Sequence, residues 1–268
     1  MYIISAVLEN NQSRVALYGD EYKLLFTKTG ACTDLTKLCA DVISEGGITA
    51  ADVEYIGVAG GCCTYDPAEV EKAVGIKCYT ASVLGARALG EAYIANDVPH
   101  LIFLKIDDTT ETSIVINKKI YTGAGMGGNF GHMVINFGGY ECTCGRKGCF
   151  GAYASNSGFA RLATEAGIKD AASLSHADIF NMDTPEAETV KTDYVKYLAN
   201  GITTIINLFQ PNELVLEGPF SGAGDKLMGP TMEIILREQY SRGMVNKCNI
   251  RFASESDTAL LGAALLGR

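Results

Sequence analysis

Proline is scarce in this sequence, and long apolar runs and an excess of basic residues are missing. Six prolines among 268 residues, of which 47% are hydrophobic, exclude collagen-like repeats and disorder. The apolar run at residues 2–8 is far shorter than the ~18 residues of a membrane-spanning helix, and no basic segment precedes it. These absences predict a globular, cytoplasmic protein with no membrane partner.

Acidic residues outnumber basic ones by 31 to 22, which gives a formal net charge of −9. Such a chain repels a phosphate backbone unless it carries a local basic patch, and the sequence shows no such patch. We therefore expect no nucleic-acid partner.

Apolar periodicity predicts three short strands followed by a helix, and the second half of the chain begins in the same way. The predicted strands lie at residues 2–8, 13–18, 22–27, 53–58, 101–106, 112–116, around 120, 214–216 and 248–252. The predicted helices lie at residues 33–44, 81–96, 154–166, 189–209, 226–240 and 258–266. The repeated order predicts two α/β lobes with related mixed sheets and a ligand-binding crevice between them.

No linker rich in proline, serine or glycine separates the two halves, so we expect the lobes to pack tightly. We place the N-terminal lobe at residues 1–98 and the C-terminal lobe at residues 99–255, with a boundary one hairpin later as the alternative. The final helix, within residues 256–268, is expected to fold back on the first lobe.

Nine cysteines in a chain without a secretion signal favour reduced thiols, some buried and some bound to metal. Four of them stand among apolar neighbours and are expected to be small core residues: Cys32, Cys39, Cys78 and Cys248. Adjacent cysteines rarely bridge each other, so Cys62 and Cys63 are also expected to pack. His100 and His176 lie in loop-like contexts, which favours the surface for both.

One cluster has the composition of a metal site. Its donors are His132, Cys142, Cys144 and Cys149. Three thiolates and one imidazole suit Zn²⁺ in a closed tetrahedral site, and Gly145 and Gly148 allow the chain to reverse between the last two cysteines. The spacing differs from the commoner Cys-x2-Cys knuckle, so loop thiols without metal remain the alternative on spacing alone.

This run, Gly131-His132 followed by Cys142-x-Cys144-Gly145-x-x-Gly148-Cys149, resembles the zinc motif of the ROK family of repressors, open reading frames and sugar kinases. Further matching stretches are residues 56–61, 117–123, 214–218 and 261–266, so the resemblance covers nearly the whole chain. It implies a two-lobed actin-like ATPase (ribonuclease H-like) fold with a central crevice, a structural Zn²⁺ and a homodimer.

The ROK kinases transfer the γ-phosphoryl group of ATP to a sugar hydroxyl, and this sequence departs from most of that machinery. Their first phosphate loop, Asp-x-Gly-Gly-Thr, corresponds to residues 6–10, which are Ala-Val-Leu-Glu-Asn. Their second, glycine-rich loop corresponds to residues 107–113, where Asp107, Asp108 and Glu111 would face the triphosphate. Val83 stands at the position of the general base and cannot accept a proton. We therefore expect no useful binding of Mg²⁺-ATP.

The sugar-contacting positions also differ from the family pattern. Asn129 replaces the Glu of the motif Glu-x-Gly-His, and Gly151 replaces the Glu that follows the last zinc cysteine. Asn129 and His132 remain as candidate ligand-binding residues, although zinc competes for His132. The acidic turn, residues 107–111, is interpreted as a solvated turn, with a Mg²⁺ site as the alternative. The glycine-rich stretch at residues 123–128 is expected to permit the turn into the zinc motif.

These departures predict a non-catalytic ROK-like protein with a structural zinc that binds a small carbohydrate or a partner. The alternative is an ATP-dependent kinase, with substituted active-site residues, for a hexose or an acetylated amino sugar. The ROK repressors carry a helix-turn-helix ahead of the first lobe, whereas this sequence begins with a strand pattern. A DNA-binding repressor is therefore not expected.

Overall fold

The computed structural model describes residues 1–60, 66–125, 127–237 and 248–268. The strands are β1 (Tyr2–Glu9), β2 (Gln12–Tyr18), β3 (Leu24–Ala31), β4 (Val53–Gly60), β5 (Cys78–Ala81), β6 (His100–Ile106), β7 (Thr110–Ile116), β8 (Lys119–Tyr121), β9 (Glu213–Glu217) and β10 (Asn249–Phe252). The helices are α1 (Leu35–Glu45), α2 (Pro67–Val74), α3 (Val83–Ile94), α4 (Gly151–Ala154), α5 (Asn156–Glu165), α6 (His176–Asn181), α7 (Pro185–Phe209), α8 (Asp225–Arg237) and α9 (Thr258–Ala264). No helix in these ranges is long and apolar enough to cross a bilayer.

The strands form two five-stranded sheets with the same strand order. The first sheet runs β3-β2-β1-β4-β5 and the second runs β8-β7-β6-β9-β10. In the first sheet β1, β2 and β3 form an antiparallel meander, and β4 and β5 join it in parallel. In the second sheet β7 and β8 are antiparallel, whereas β9 and β10 are parallel. The repeat that the sequence predicts is therefore present in the strand order.

The central strand β1 is buried over six consecutive residues, because β2 and β4 flank it and helices cover both faces of the sheet. The turn from β1 to β2 has two residues, Asn10 and Asn11, with φ of 50° and 60°. Asparagine tolerates this left-handed backbone, and a turn with two positive φ values matches the twist of antiparallel strands. A tight hairpin therefore stands where the resemblance places the first phosphate loop.

The chain divides into two compact units. The first contains residues Met1–Leu101, Ser113–Tyr121 and Ser254–Arg268, and the second contains Ile102–Thr112 and Thr122–Ala253. The first unit thus includes β8, the second half of β7 from Ser113 onward, and the last helix. The predicted domain boundary between residues 98 and 99 stays a prediction.

Within the first unit, α9 packs directly on α3. A Cβ atom added at Gly262 would lie 1.6 Å from the carbonyl oxygen of Ala86, and one at Gly90 would lie 2.0 Å from that of Thr258. Only glycine permits so close an approach of two backbones. The Tyr55 hydroxyl donates a 2.6 Å hydrogen bond to the Ala264 carbonyl at the end of α9.

Among the described elements, α2, β5, α4 and α6 were not predicted from the sequence; of α4, only Ala154 falls within the predicted helix at residues 154–166. Helix α2 has eight residues and only one buried side chain, Val70, so its apolar periodicity is weak. The predicted helix at residues 226–240 ends at Arg237 in the described part of the chain, and Tyr240 lies outside that part.

The surface position expected for His176 is wrong. Ser175 and Asp178 form a capping box that begins α6, and His176, its first residue, points into the core with an exposed fraction of 3%. Its ring stacks on Phe159 at a centroid distance of 3.9 Å, and burial lowers the pKa of His176 to about 4.

The cysteines outside the candidate metal cluster follow the prediction in part. Cys39, Cys78 and Cys248 are buried free thiols, as expected of small core residues. Cys32 is also buried but is disulfide-bonded, which corrects the expectation of a reduced thiol there. The predicted packing of Cys62 and Cys63 concerns positions outside the described residues.

Candidate metal centre and ligand cavity

The loop from residue 132 to residue 149 brings the four predicted metal ligands together, with all four donor atoms within 4.8 Å of one another. The His132 Nδ1 atom is 3.4 Å from Cys142 Sγ, and Cys144 Sγ is 3.6 Å from Cys149 Sγ. A tetrahedron with Zn–S bonds of about 2.3 Å has edges of roughly 3.4–3.8 Å. The donor types therefore fit Zn²⁺, and two donor pairs already have the spacing of a tetrahedral site.

Two tight turns build this loop. The first turn follows Cys142, whose carbonyl accepts a 2.9 Å hydrogen bond from the Gly145 N–H. The second turn passes through Gly148, which has φ of 80°, and a Cβ atom there would lie 1.8 Å from the Asn136 carbonyl oxygen. Glycine at this position thus lets Cys149 return to the cluster.

The loop is anchored to α4 and to its own backbone. The buried Tyr153 hydroxyl of α4 accepts 2.9 Å hydrogen bonds from the Asn136 side chain and from the Tyr140 N–H. Arg146 donates a 2.6 Å hydrogen bond to the His132 carbonyl. These contacts fix the cluster from both ends of the loop.

The thiols of the cluster have unlike acidities. Hydrogen bonds from Arg146 lower the pKa of the exposed Cys144 to about 6, and the bond from the Arg146 backbone N–H has the largest effect. Burial, together with the neighbouring thiols, raises the pKa of Cys149 to about 12. A divalent cation at the centre would hold both groups as thiolates, because metal binding displaces the thiol protons.

Val83, at the predicted base position, begins α3. The preceding residue, Ser82, caps the helix, and its hydroxyl accepts a 3.0 Å hydrogen bond from the Gly85 N–H. The Val83 side chain packs against the core of the first unit. A branched alkyl group has no atom that accepts a proton, so this helix start supplies no base.

The acidic turn is held by its own hydrogen bonds and by one lysine. Lys105 lies 2.8 Å from the Asp107 carboxylate, which also accepts a 3.0 Å hydrogen bond from the Thr109 N–H. Burial acts to raise the pKa of Asp107, but Lys105 and Thr109 outweigh it and keep the pKa below its ordinary value. Asn156 donates a 3.1 Å hydrogen bond to Asp108. The Asp107 carboxylate therefore stays charged and paired with Lys105.

A cavity of about 220 Å³ lies between the acidic turn, the metal cluster and the start of α5 in the second unit. Its wall includes Asp108, Thr110, His132, Ser155, Ser157 and Arg161. Gly151, where the family pattern has Glu, also lines it, and a Cβ atom there would be 3.3 Å from Thr110 Oγ1 and 3.2 Å from the Gly131 carbonyl oxygen. Thr110 thus lies beside the position at which the family pattern has a Glu side chain.

Of the two residues predicted to bind a ligand, only one lies in the cavity wall. His132 lines the cavity, whereas Asn129 is exposed and is not part of the wall, so a ligand-binding role for Asn129 stays a prediction. Ser155, Ser157 and Arg161 also line the cavity and were not predicted from the sequence. These residues belong to no motif, and only the turn through α4 brings them beside the metal loop.

Comparisons with known proteins agree with this architecture. The sequence model of the ROK family matches residues 67–268. A glucokinase of Halalkalibacterium halodurans is 32% identical over 161 residues, which is 53% of this chain and 49% of that protein. The xylose repressor of Bacillus subtilis is 29% identical over 155 residues, which is 56% of this chain and 37% of that protein. The chain thus spans about half the length, or less, of the curated relatives it matches.

Solved structures show the same fold at low sequence identity. A ROK hexokinase from Thermus thermophilus superposes with a TM-score of 0.77 and 20% identity, over 99% of this chain and 97% of that chain. A ROK-family transcriptional regulator, described as a homologue of the E. coli MLC protein, superposes with a TM-score of 0.75 and 22% identity, over 99% of this chain and 77% of that chain.

Proposed function

Because the chain belongs to the ROK family and has an actin-like ATPase (ribonuclease H-like) fold, we propose that it binds a small carbohydrate without phosphorylating it. The observation that carries this proposal is the acidic turn, which stands where the resemblance places the second phosphate loop. Asp107, Asp108 and Glu111 occupy a stretch in which the kinases have glycines.

Charge at the acidic turn opposes a triphosphate. Two like charges about 4 Å apart repel by roughly 4 kcal/mol at an effective dielectric constant near 20. Lys105 is ion-paired with Asp107 and also attracts Glu111, so a single lysine acts here against three carboxylates. Phosphoryl transfer depends on backbone donors and cations around the phosphates. The acidic turn places negative carboxylates at this position instead.

The remaining catalytic positions support the same conclusion. Residues Ala6–Leu8 are buried within β1, and the two-residue turn that follows leaves no glycine loop for phosphates. A general base typically accelerates such a step by about 10²–10⁴-fold, and Val83 cannot act as one. The kinase alternative requires all three departures to be compensated elsewhere.

The cavity beside the metal loop supports carbohydrate binding. Its wall carries hydroxyl groups of Thr110, Ser155 and Ser157, which suit the hydroxyls of a sugar. Its volume, about 220 Å³, is below the ~300–1,000 Å³ of typical drug-sized sites and limits the ligand to about one sugar ring. Relatives named for glucose, xylose and N-acetylglucosamine are consistent with this class of ligand.

We also propose one structural Zn²⁺ held by the four-residue cluster, whose donor atoms lie within 4.8 Å of one another. Four protein ligands leave no open coordination position, so the metal would stabilise the loop and take no part in chemistry. The homodimer, the cytoplasmic location and the absence of a nucleic-acid partner stay predictions.

Carbohydrate binding is tested by calorimetric titration of the full chain with a panel of hexoses, pentoses, acetylated amino sugars and acidic sugars. We expect at least one sugar to bind, and its affinity to be unchanged by Mg²⁺-ATP. Ser157→Leu, which places a bulky group in the cavity wall, should weaken that binding at least tenfold. Ser44→Leu, an exposed serine of α1 in the other unit, is the matched control. A panel without any binding sugar overturns the proposal.

A further inference from the structure

We propose that the cavity selects an anionic carbohydrate, a sugar that carries a carboxylate or a phosphate, and that Arg161 recognises the negative group. This inference rests on the proposed carbohydrate binding and adds the charge of the ligand. The inference depends on which charged side chains of the cavity wall are already paired within the protein and which are not.

Arg161 is the only lysine or arginine among the residues that line the cavity. Its guanidinium carbon lies 4.6 Å from the centroid of the Tyr140 ring, a cation–π contact that positions the group without neutralising it. Within the part of the chain that the structure describes, Arg161 makes no ion pair and no hydrogen bond. Its N–H donors are therefore available to a ligand.

The carboxylate nearest to Arg161 along α5 does not pair with it. Glu165, one turn later, accepts a hydrogen bond from the Tyr140 hydroxyl instead. Tyr140 thus holds both side chains, with its ring under Arg161 and its hydroxyl on Glu165. An arginine kept apart from a carboxylate one turn away is arranged for an external anion, because guanidinium groups bind carboxylate and phosphate through paired, charge-assisted hydrogen bonds.

The two acidic residues of the wall suit the rest of such a ligand. Glu141 is paired with Lys147 at 3.5 Å. Asp108 accepts one hydrogen bond through Oδ1, from Asn156, and so retains acceptor capacity for a sugar hydroxyl. A ligand with hydroxyl donors on one side and an oxyanion on the other matches Asp108 and Arg161 together, whereas a neutral hexose leaves Arg161 without a partner.

The test compares D-glucose, D-glucuronate, D-glucose 6-phosphate and inorganic phosphate by calorimetry at low and high NaCl. We expect glucuronate or glucose 6-phosphate to bind at least tenfold more tightly than glucose at low salt, and this preference to shrink at high salt. Which of the two binds identifies the negative group as carboxylate or phosphate. Arg161→Gln should abolish the preference, and Arg237→Gln, an exposed arginine outside this cavity, should retain it.

Each other outcome contradicts a distinct statement. Equal affinity for glucose and both anionic sugars, or a preference that is insensitive to salt in the unmodified protein, overturns the role of Arg161 and leaves the proposed function standing. Inorganic phosphate that binds as tightly as glucose 6-phosphate overturns the carbohydrate part of the inference. The absence of any sugar binding in the wider panel overturns both proposals.

Discussion

Cys144 tests the metal centre most cleanly of the four donors, because its side chain is exposed and its replacement leaves no buried cavity. We expect about one zinc per chain in the purified protein, and far less in Cys144→Ser, since a hydroxyl is a poor zinc ligand. Thr143→Ser, a change at the neighbouring loop position, should keep its zinc. Elemental analysis of the three proteins measures this directly, and zinc retained in full by Cys144→Ser contradicts the ligand assignment.

His176 should make the stability of the protein depend on pH. Its pKa is about 4 in the folded chain and near 6.5 when unfolded, so between these values the unfolded chain binds more protons. The free energy of unfolding should therefore fall as the pH falls from about 6.5 to 4, by at most about 3 kcal/mol. Urea unfolding across this range measures the slope.

Two variants separate the contribution of His176 to the pH dependence of unfolding from the contributions of other groups. In His176→Leu the pH dependence between 4 and 6.5 should be smaller, whatever the stability of that variant at neutral pH. Ser44→Leu, which replaces an exposed serine of α1 without changing a titratable group, should keep the slope of the unmodified protein. Identical slopes in all three proteins contradict the assignment of a buried neutral imidazole to His176.

The clustering of the four candidate ligands could be predicted from the sequence because they lie within 18 residues of one another, and local spacing brings the three cysteines together. Arg161 could not be predicted as a cavity residue. The position of Arg161 depends on the turn through α4 and on its stacking against Tyr140. Neither feature can be recognised from residue spacing in the sequence.

The contact between α3 and α9 rests on glycines. Gly262→Ala should destabilise the protein by about 2–3 kcal/mol, because the added methyl group meets the Ala86 carbonyl oxygen at 1.6 Å and one backbone must move. Gly222→Ala is the control, since its added Cβ would meet its nearest neighbour at an ordinary 3.7 Å. Thermal unfolding should show a large loss for the first variant and little for the second, and equal melting temperatures contradict this packing.

Long elements could be predicted from the sequence and short ones could not. The strands β1, β2, β6 and β7 and the helix α7 show enough apolar residues for their period to be recognised. Helix α2 and strand β5, with eight and four residues, show too few. Helix α6 has six residues and begins at a capping box, so its sequence has the composition of a loop.

Two related α/β lobes could be predicted because the order of strands followed by a helix occurs twice in the sequence. The actin-like fold was implied by the family resemblance, which the match over residues 67–268 confirms. The ligand cavity could not be predicted, because it forms where the acidic turn, the metal loop and α5 meet, and these segments are separated along the chain. Sequence patterns describe each segment but not the space that the three enclose.

The central claim is that this ROK-family protein does not transfer phosphate to a sugar. It is tested most directly by calorimetric titration with Mg²⁺-ATP together with a coupled assay of ADP release over the carbohydrate panel. The acidic turn and Val83 predict no saturable ATP binding below about 1 mM and no sugar-dependent release above background. Submillimolar affinity for Mg²⁺-ATP, or sugar-dependent turnover that disappears in Ser157→Leu but not in Ser44→Leu, would contradict the account and identify the protein as a kinase.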